Sequence, residues 1–286
     1  MPKPPFKLLR PERQTTPVVF ASPHSGRDYP WAFLRRSVLD ERLIRSSEDA
    51  FIDLLFDAAP NHGAPLLAST APRAFIDLNR SSDELDPALI ADIRKSTHNP
   101  RVTSGLGVIP RVVANGREIY SGKLTLDEAR GRVRDYWRPY HDCLRDLLSE
   151  TLQSFGKAIL IDCHSMPHEA IDSMSAPGEP RPDIVLGDRF GSSADQLVVD
   201  QIEAAFAAAG LLVSRNSPFA GAYTAQHYGR PSRGRHVIQV EIDRSLYMNE
   251  KLVRPSGKFP GFQSLIQGVI AEVTDNWRQD IPLAAE

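Results

Sequence analysis

The chain has 286 residues, of which 41% are hydrophobic and 24% charged, ordinary values for a globular fold. That length can bury a sizeable core and fits one large α/β domain or two small ones; with no obvious interdomain linker, a single domain spanning 1–286 is the expectation. A formal net charge of −2 provides no basic field, which argues against nucleic acid or an anionic membrane as partner.

The apolar, partly β-branched run Val18-Val19-Phe20-Ala21 predicts a buried strand at 17–22. Ser46-x-x-Asp49 fits a capping box, with Asp in place of the usual Glu or Gln, opening a helix from about 47 to 59. Strands are expected at 65–69 and 74–78. Residues 81–124 look irregular apart from a strand pair, 107–113 and 118–120, joined by the turn pair Asn115-Gly116. Thr125-x-x-Glu128 is a second capping box and starts a helix reaching about residue 155, which Pro139 should kink or split. Ala158-Ile159-Leu160-Ile161 opens a core strand at 158–162, followed by a loop-like 165–182. A short strand at 183–186, an Ala-rich helix at 193–209 ended by Gly210, strands at 211–215 and 236–243, and a helix at 259–277 complete the chain. Strands alternating with helices predict an α/β fold with a mixed, mostly parallel sheet flanked by helices. The local 107–120 hairpin is the reason to expect a mixed sheet.

No apolar stretch approaches the roughly 20 residues that span a bilayer, and Met1-Pro2-Lys3-Pro4-Pro5-Phe6 lacks the apolar region of a secretory signal. The two cysteines, Cys143 and Cys163, form no CxxC pattern, which excludes a disulfide framework and a cysteine-built zinc site. A cytoplasmic setting is the expectation.

Three separated segments carry the chemistry. His24 follows the first strand in Ser22-Pro23-His24-Ser25-Gly26, and His164 follows the 158–162 run in Asp162-Cys163-His164-Ser165. Each histidine alone is an ordinary loop residue, but both fall beyond strand ends, where open α/β sheets bind ligands. Asp162 could supply the outer hydrogen bond that orients a metal-bound imidazole. A hydrolytic zinc site takes three protein ligands, commonly two His and one carboxylate, and leaves a position open. No HExxH is present, and Glu48 and Asp49 are both candidates for the third ligand. From pattern alone, Asp49 reads as a helix cap.

Glu241 shares a strand face with Gln239 and Val237, while Ile238, Val240 and Ile242 take the other. It is either part of a solvated polar face or a general base. Arg80, after Asp77-Leu78-Asn79, offers a planar fork for a substrate carboxylate, against the alternative of a surface ion pair with Asp77 or Asp83. The stretch 221–235, dense in Gly, Tyr, His and Arg, suits a substrate-covering loop or a plain surface loop. GxGxxG, P-loop and GxSxG signatures are absent, which argues against nucleotide binding and a serine-hydrolase elbow.

Taken together, SPHSG (22–26), SEDAFIDLLFDAAP (47–60), RAFIDLNR (73–80), GLGVIPRV (105–112), YWRPYH (136–141), DCHSM (162–166) and GAYTAQHYGRPSRGRHVIQVEIDRSLYM (221–248) resemble the N-formylglutamate amidohydrolase family, in order and over nearly the whole chain. The resemblance implies a zinc-carboxypeptidase-like fold and metal-dependent hydrolysis of an N-acyl amino acid. It also implies His24, Asp49 and His164 as ligands of one zinc ion, with the family's aspartate falling on Asp49 rather than Glu48. Glu241 stands at the glutamate of the family's Gln-x-Glu strand, and Arg80 at the arginine of its Asp-Leu-Asn-Arg. Histidine-degrading members carry Asp-x-Asp-Trp where this chain has Ser47-Glu48-Asp49-Ala50, and Lys-Gly-Gly where it has Ala220-Gly221-Ala222. Both departures lie near the expected pocket and bear on acyl and side-chain specificity.

The expected substrate is a small N-acyl amino acid, N-formyl-L-glutamate first, giving formate and glutamate. Glu241 is the expected proton shuttle, and Arg80 with Asn79 the expected holder of the α-carboxylate. Tyr223, Thr224 and His227 are expected to line the pocket, and one of Arg230, Arg233 or Arg244 to read a side-chain carboxylate. The alternatives are a metallopeptidase or deacylase for a larger acyl group, and a non-catalytic amino-acid-binding module.

Overall fold

A computed structural model describes residues 4–93, 99–172 and 181–278. Seven strands form the main sheet: β1 (Phe6–Leu9), β2 (Val18–Ser22), β3 (Leu66–Ser69), β4 (Ala158–Met166), β5 (Ile184–Gly187), β6 (Val213–Arg215) and β7 (Arg235–Asp243), in the order β1-β3-β2-β4-β7-β5-β6. β3, β2, β4 and β7 are parallel, β1 is antiparallel to β3, and the parallel pair β5–β6 is antiparallel to β7 through β5. The sheet is therefore mixed and mostly parallel, as expected, but for a different reason. The 107–120 segment stays outside the main sheet, with isolated bridges from Val112 to Glu118 and from Tyr120 to Ser37. Its Asn115 and Gly116 are both left-handed, at φ 59° and 67°, the geometry a tight hairpin turn requires.

Alternation along the central strands divides the interior into two cores. Val18, Phe20, Ile159, Ile161, Cys163, Ile238, Val240 and Ile242 face the helices Gln196–Ala208 and Phe259–Asp275. Val19, Ala21, Leu160 and Val237 pack with residues from Arg138–Phe155 and from 74–124. On that second face, the carboxyl ends of β4 and β7 switch from apolar to polar: Leu160 is followed two and four residues later by Asp162 and His164, and Val237 by Gln239 and Glu241. Every residue of β4 is buried, and β4 runs four residues beyond the expected 162 because β7 pairs with it as far as Met166. That register sets His164 directly beside Glu241.

Four other expectations change. The helix expected at 47–59 is one α-turn, Ile52–Leu55, followed by the 3₁₀ turn Ala59–His62. Before it, Phe51 sits at φ 69°, and the Asp49 carboxylate is occupied by other side chains, so it caps nothing. The segment 74–78 is not a strand; Asp77 and Asn79 turn it toward the sheet edge instead. The long helix begins as expected, with the Thr125 hydroxyl accepting from the Glu128 amide (3.1 Å), but a π-turn, Val133–Trp137, separates Leu126–Arg132 from Arg138–Phe155. Pro139, which has no N–H to give, falls at the start of the second piece, where none is needed. Of the loop-like 165–182, His168–Asp172 forms a helical turn, and 173–180 lies outside the described residues.

Candidate active site

The loop after β2 brings His24 over the sheet edge. Its bend brings Gly26 against the backbone of Thr70 and Ala71, where a Cβ would lie 2.0 Å from the Ala71 carbonyl oxygen. The His24 carbonyl accepts from the Asp49 amide (3.1 Å), tying the two segments together. At their meeting point, Nδ1 of His164 (2.8 Å) and Nδ1 of His24 (3.3 Å) both approach the same Asp49 oxygen, Oδ2. Donor atoms of these three buried residues lie within 4.8 Å of one another.

The outer nitrogen of each imidazole faces a second carboxylate: His24 Nε2 meets Asp77 (2.8 Å), and His164 Nε2 meets Asp162 (3.1 Å). Asp77 is itself bound by Arg73 Nε (3.1 Å) and by the Asn79 amide (2.8 Å). The remaining Asp49 oxygen accepts from Arg244 Nη2 (3.1 Å) and the Ser165 hydroxyl (3.2 Å). Two inward Nδ1 atoms, one inward carboxylate oxygen and outer carboxylates fixing both rings suit a tetrahedral divalent cation with one position open. The donor set therefore fits the expected ion.

The electrostatics follow from burial in company. Burial works against a proton on His164, but Asp162, Asp49 and Glu241 outweigh it and hold the imidazole well above its ordinary range. Burial likewise opposes the Asp49 charge, yet His164 and His24 keep its carboxyl well below the usual value. Glu241 goes the other way: burial, resisted by His164 and aided by Asp49, raises its carboxyl to about 7. A carboxyl near neutrality can both take and return a proton. Its Oε1 accepts from Gln239 Nε2 (2.8 Å), which fixes its orientation.

These groups line a cleft of about 640 Å³, walled by His24, His164, Glu241, Arg73, Arg80 and the 218–222 segment, among others. The structure gathers His24, Asp49, His164, Glu241, Asn79, Arg80 and Arg244 in one place. Two of them already have protein partners. Asn79 is engaged within the protein: Nδ2 contacts Asp162, His164 and Gln239, and Oδ1 accepts from the Thr224 amide (2.8 Å). The Asn79 side chain thus ties β4, β7 and the Thr224 amide together beside His164. Arg244 is held by Asp49, Ser165 and the Ser46 carbonyl, so it orients Asp49. Arg80 makes no ion pair with Asp77 or Asp83; its Nε and Nη1 donate to the carbonyls of Leu106 (3.0 Å) and Asn79 (2.8 Å).

Tyr223, Thr224 and His227 lie on the helix Tyr223–Tyr228, with Tyr223 stacked on His227 at 5.0 Å, and none lines the cleft. The residues just before them, Pro218 to Ala222, do. Arg230 and Arg233 are exposed away from the cleft. Sequence reasoning passed over Arg73, although it opens the 73–80 segment four residues before Asp77. Glu48, the rival third ligand, is buried with its carboxylate taken up by the Tyr29 hydroxyl and the Arg45 guanidinium.

The fold and site define an α/β protein carrying a buried His–Asp–His donor set at the carboxyl edge of a mostly parallel sheet, with a glutamate on the neighbouring strand. The family profile of N-formylglutamate amidohydrolase matches residues 16–248, and the chain belongs to that family. The N-formylglutamate deformylase of Pseudomonas aeruginosa is 30% identical over 252 residues, 86% of this chain and 87% of that protein. The corresponding protein of Pseudomonas putida is 30% identical over 251 residues, covering 85% and 86%. The crystal structure of an N-formylglutamate amidohydrolase from Ralstonia eutropha superposes with a TM-score of 0.89 at 34% identity, over 96% of this chain and 98% of that one. An Agrobacterium tumefaciens structure, at 18% identity and a TM-score of 0.62, shares the fold. Among the described residues no helix is long and apolar enough to cross a membrane.

Proposed function

We propose that the chain is a zinc-dependent amidohydrolase that cleaves N-formyl-L-glutamate to formate and L-glutamate in the cytoplasm. The observation that carries the reading is the convergence of two Nδ1 atoms on one Asp49 oxygen beside Glu241. Family membership and the names of the relatives support the substrate. Asp49 Oδ2, His24 Nδ1 and His164 Nδ1 would hold the ion, which when bound supplies Lewis acidity, lowering the pKa of water to about 7 and polarising the acyl carbonyl.

The chain's own groups do the rest. Glu241 takes a proton from the attacking water and returns it to the leaving amine nitrogen. Arg73, held through Nε by Asp77, directs its remaining N–H groups at negative charge developing on the acyl oxygen. Arg80 keeps Nη2 for the substrate α-carboxylate and is buried, so that contact is little screened. Asp77 and Asp162 hold the imidazole rings through the cycle.

A cleft of about 640 Å³ favours, as a second reading, a deacylase for a larger acyl group. The test is formate and amine release from N-formyl-L-glutamate, with and without chelator and added zinc, run beside the acetyl and succinyl analogues. Chelator-sensitive turnover with at least about tenfold preference for formyl, some 1.4 kcal/mol at the transition state, is the expected result. Comparable rates for the larger acyl groups would shift the reading to the deacylase. Substrate binding without turnover or zinc would favour a non-catalytic module.

A further inference from the structure

The cleft is lined by four arginines, and their engagements differ. Arg244 is held by Asp49 and Ser165, and Arg73 by Asp77. Arg80 is buried, and among the described residues its guanidinium donates only to backbone carbonyls. Arg101 is exposed over the cleft, and its guanidinium has no hydrogen bond or ion pair among the described residues. Two guanidinium groups on one wall thus lack a carboxylate partner.

The backbone beneath Arg101 is fixed relative to Arg80. Arg101 lies in the single helical turn Pro100–Thr103, whose start is capped by Asn99 Oδ1 accepting from the Arg101 (3.0 Å) and Val102 (3.4 Å) amides. Asn99 Nδ2 in turn donates to Glu84 Oε2 (3.3 Å), and Arg111 Nη2 to the Thr103 carbonyl (3.2 Å). The Arg101 carbonyl accepts from the Leu106 amide (2.8 Å), and the Leu106 carbonyl accepts from Arg80 Nε. One residue, Leu106, therefore links the two arginines. Burial first of all, against the pull of Asp77, and then the charges of Arg73 and Arg101 lower the pKa of Arg80. Like charges on one cleft wall are relieved by a bound anion with more than one negative group.

We propose that Arg101 is a specificity-determining residue that pairs with the side-chain carboxylate of a dicarboxylic N-acyl amino acid while Arg80 holds the α-carboxylate. This rests on the amidohydrolase reading of the same cleft. Arg230 and Arg233, expected for this part from the sequence, lie outside the cleft, and Arg230 Nη1 is occupied by the Gln226 carbonyl (2.7 Å). A ligand with one carboxylate leaves one of the two guanidinium groups unmatched, whereas glutamate-like ligands match both.

The experiment has two readouts on the zinc-loaded enzyme and its Arg101→Gln, Arg101→Lys and Arg233→Ala variants. One is kcat/KM for N-formyl-L-glutamate against N-formyl-L-glutamine. The other is calorimetric binding of the free amino acids, L-glutamate against L-glutamine. R101Q should reduce the glutamate preference by about tenfold to a hundredfold, chiefly through KM, with R101K intermediate and R233A like the wild type. A preference unchanged in R101Q, while N-formyl-L-glutamate is still turned over, overturns the role of Arg101 and leaves the amidohydrolase reading standing. A binding preference that depends on Arg101 in an enzyme that releases no formate supports Arg101 and overturns that reading. Absence of any glutamate preference in both readouts overturns the proposal.

Discussion

His164 and His141 are almost equally buried, at 3% and 4% exposure, yet their surroundings give them opposite characters. His164 stands among Asp49, Asp162 and Glu241, and these carboxylates hold its pKa well above the ordinary value although burial pulls the other way. Among the described residues, no carboxylate hydrogen-bonds to the His141 ring. Its Nε2 donates to the Leu78 carbonyl (2.9 Å), Nδ1 accepts from the Tyr228 hydroxyl (2.9 Å), and Trp137 packs 4.0 Å away, centroid to centroid. There burial prevails, against the Leu78 hydrogen bond, and lowers the pKa to about 3. The same side chain is thus a seat for positive charge in one place and a neutral wedge in the other. Placement of carboxylates, rather than burial, makes the difference.

The comparison can be pressed hardest at Glu241, the carboxylate beside the His164 cluster that ligates nothing in the expected set. Glu241→Gln keeps the shape and the Gln239 contact but removes the proton acceptor. Turnover should fall by about 10²–10⁴-fold with zinc content unchanged, measured by formate release and elemental analysis on the same preparation. Wild-type turnover would remove Glu241 from its role, and loss of zinc would place it in the ligand set. A smaller effect is expected at Asp162, whose carboxylate fixes the outer nitrogen of His164. Asp162→Asn should weaken zinc binding by about 10–100-fold in a competition titration against a chelating dye, with turnover recovering as zinc is added. Unchanged affinity would show that the Asp162 contact is not needed to orient the ring.

The strand-borne part of the site was legible in the sequence because period-two alternation assigns faces: Asp162, His164, Gln239 and Glu241 follow directly from the apolar runs that precede them. The loop-borne part was not. Asp49 imitates a helix cap, and only the left-handed Phe51 and the backbone bond to His24 turn it inward. Asp77 lies on a segment apolar enough to pass for a strand, and its irregular path is set by contacts with His24 and Asn79, which are distant or side-chain-specific and leave no periodic trace. The same holds for the arginines. A residue type announces a charge, but whether that charge is held, as in Arg244, or left facing the cleft, as in Arg101, depends on what lies within a few ångströms in the folded chain. The antiparallel β5 also escaped, because a short apolar strand reads identically in either direction.

The smallest expected effect is on stability, at the other member of the comparison. Because the folded-state pKa of His141 lies near 3, against 6.5 for the free side chain, the unfolded chain binds the extra proton between those values. Its contribution to stability is fully present above pH 6.5 and is lost as pH falls toward 3, with a slope approaching about 1.4 kcal/mol per pH unit within the window. His141→Gln retains a donor and an acceptor but cannot titrate. At pH 7.5 it should cost about 1–3 kcal/mol, since the Leu78 carbonyl and Tyr228 hydroxyl are paired less well. Urea unfolding at pH 7.5, 6.0 and 5.0 should then show the gap between wild type and variant closing as pH falls. A gap that stays constant would mean that His141 is protonated as readily in the folded protein as in the unfolded chain. In that event the aromatic surroundings do not exclude charge, and the contrast with His164 would rest on geometry alone.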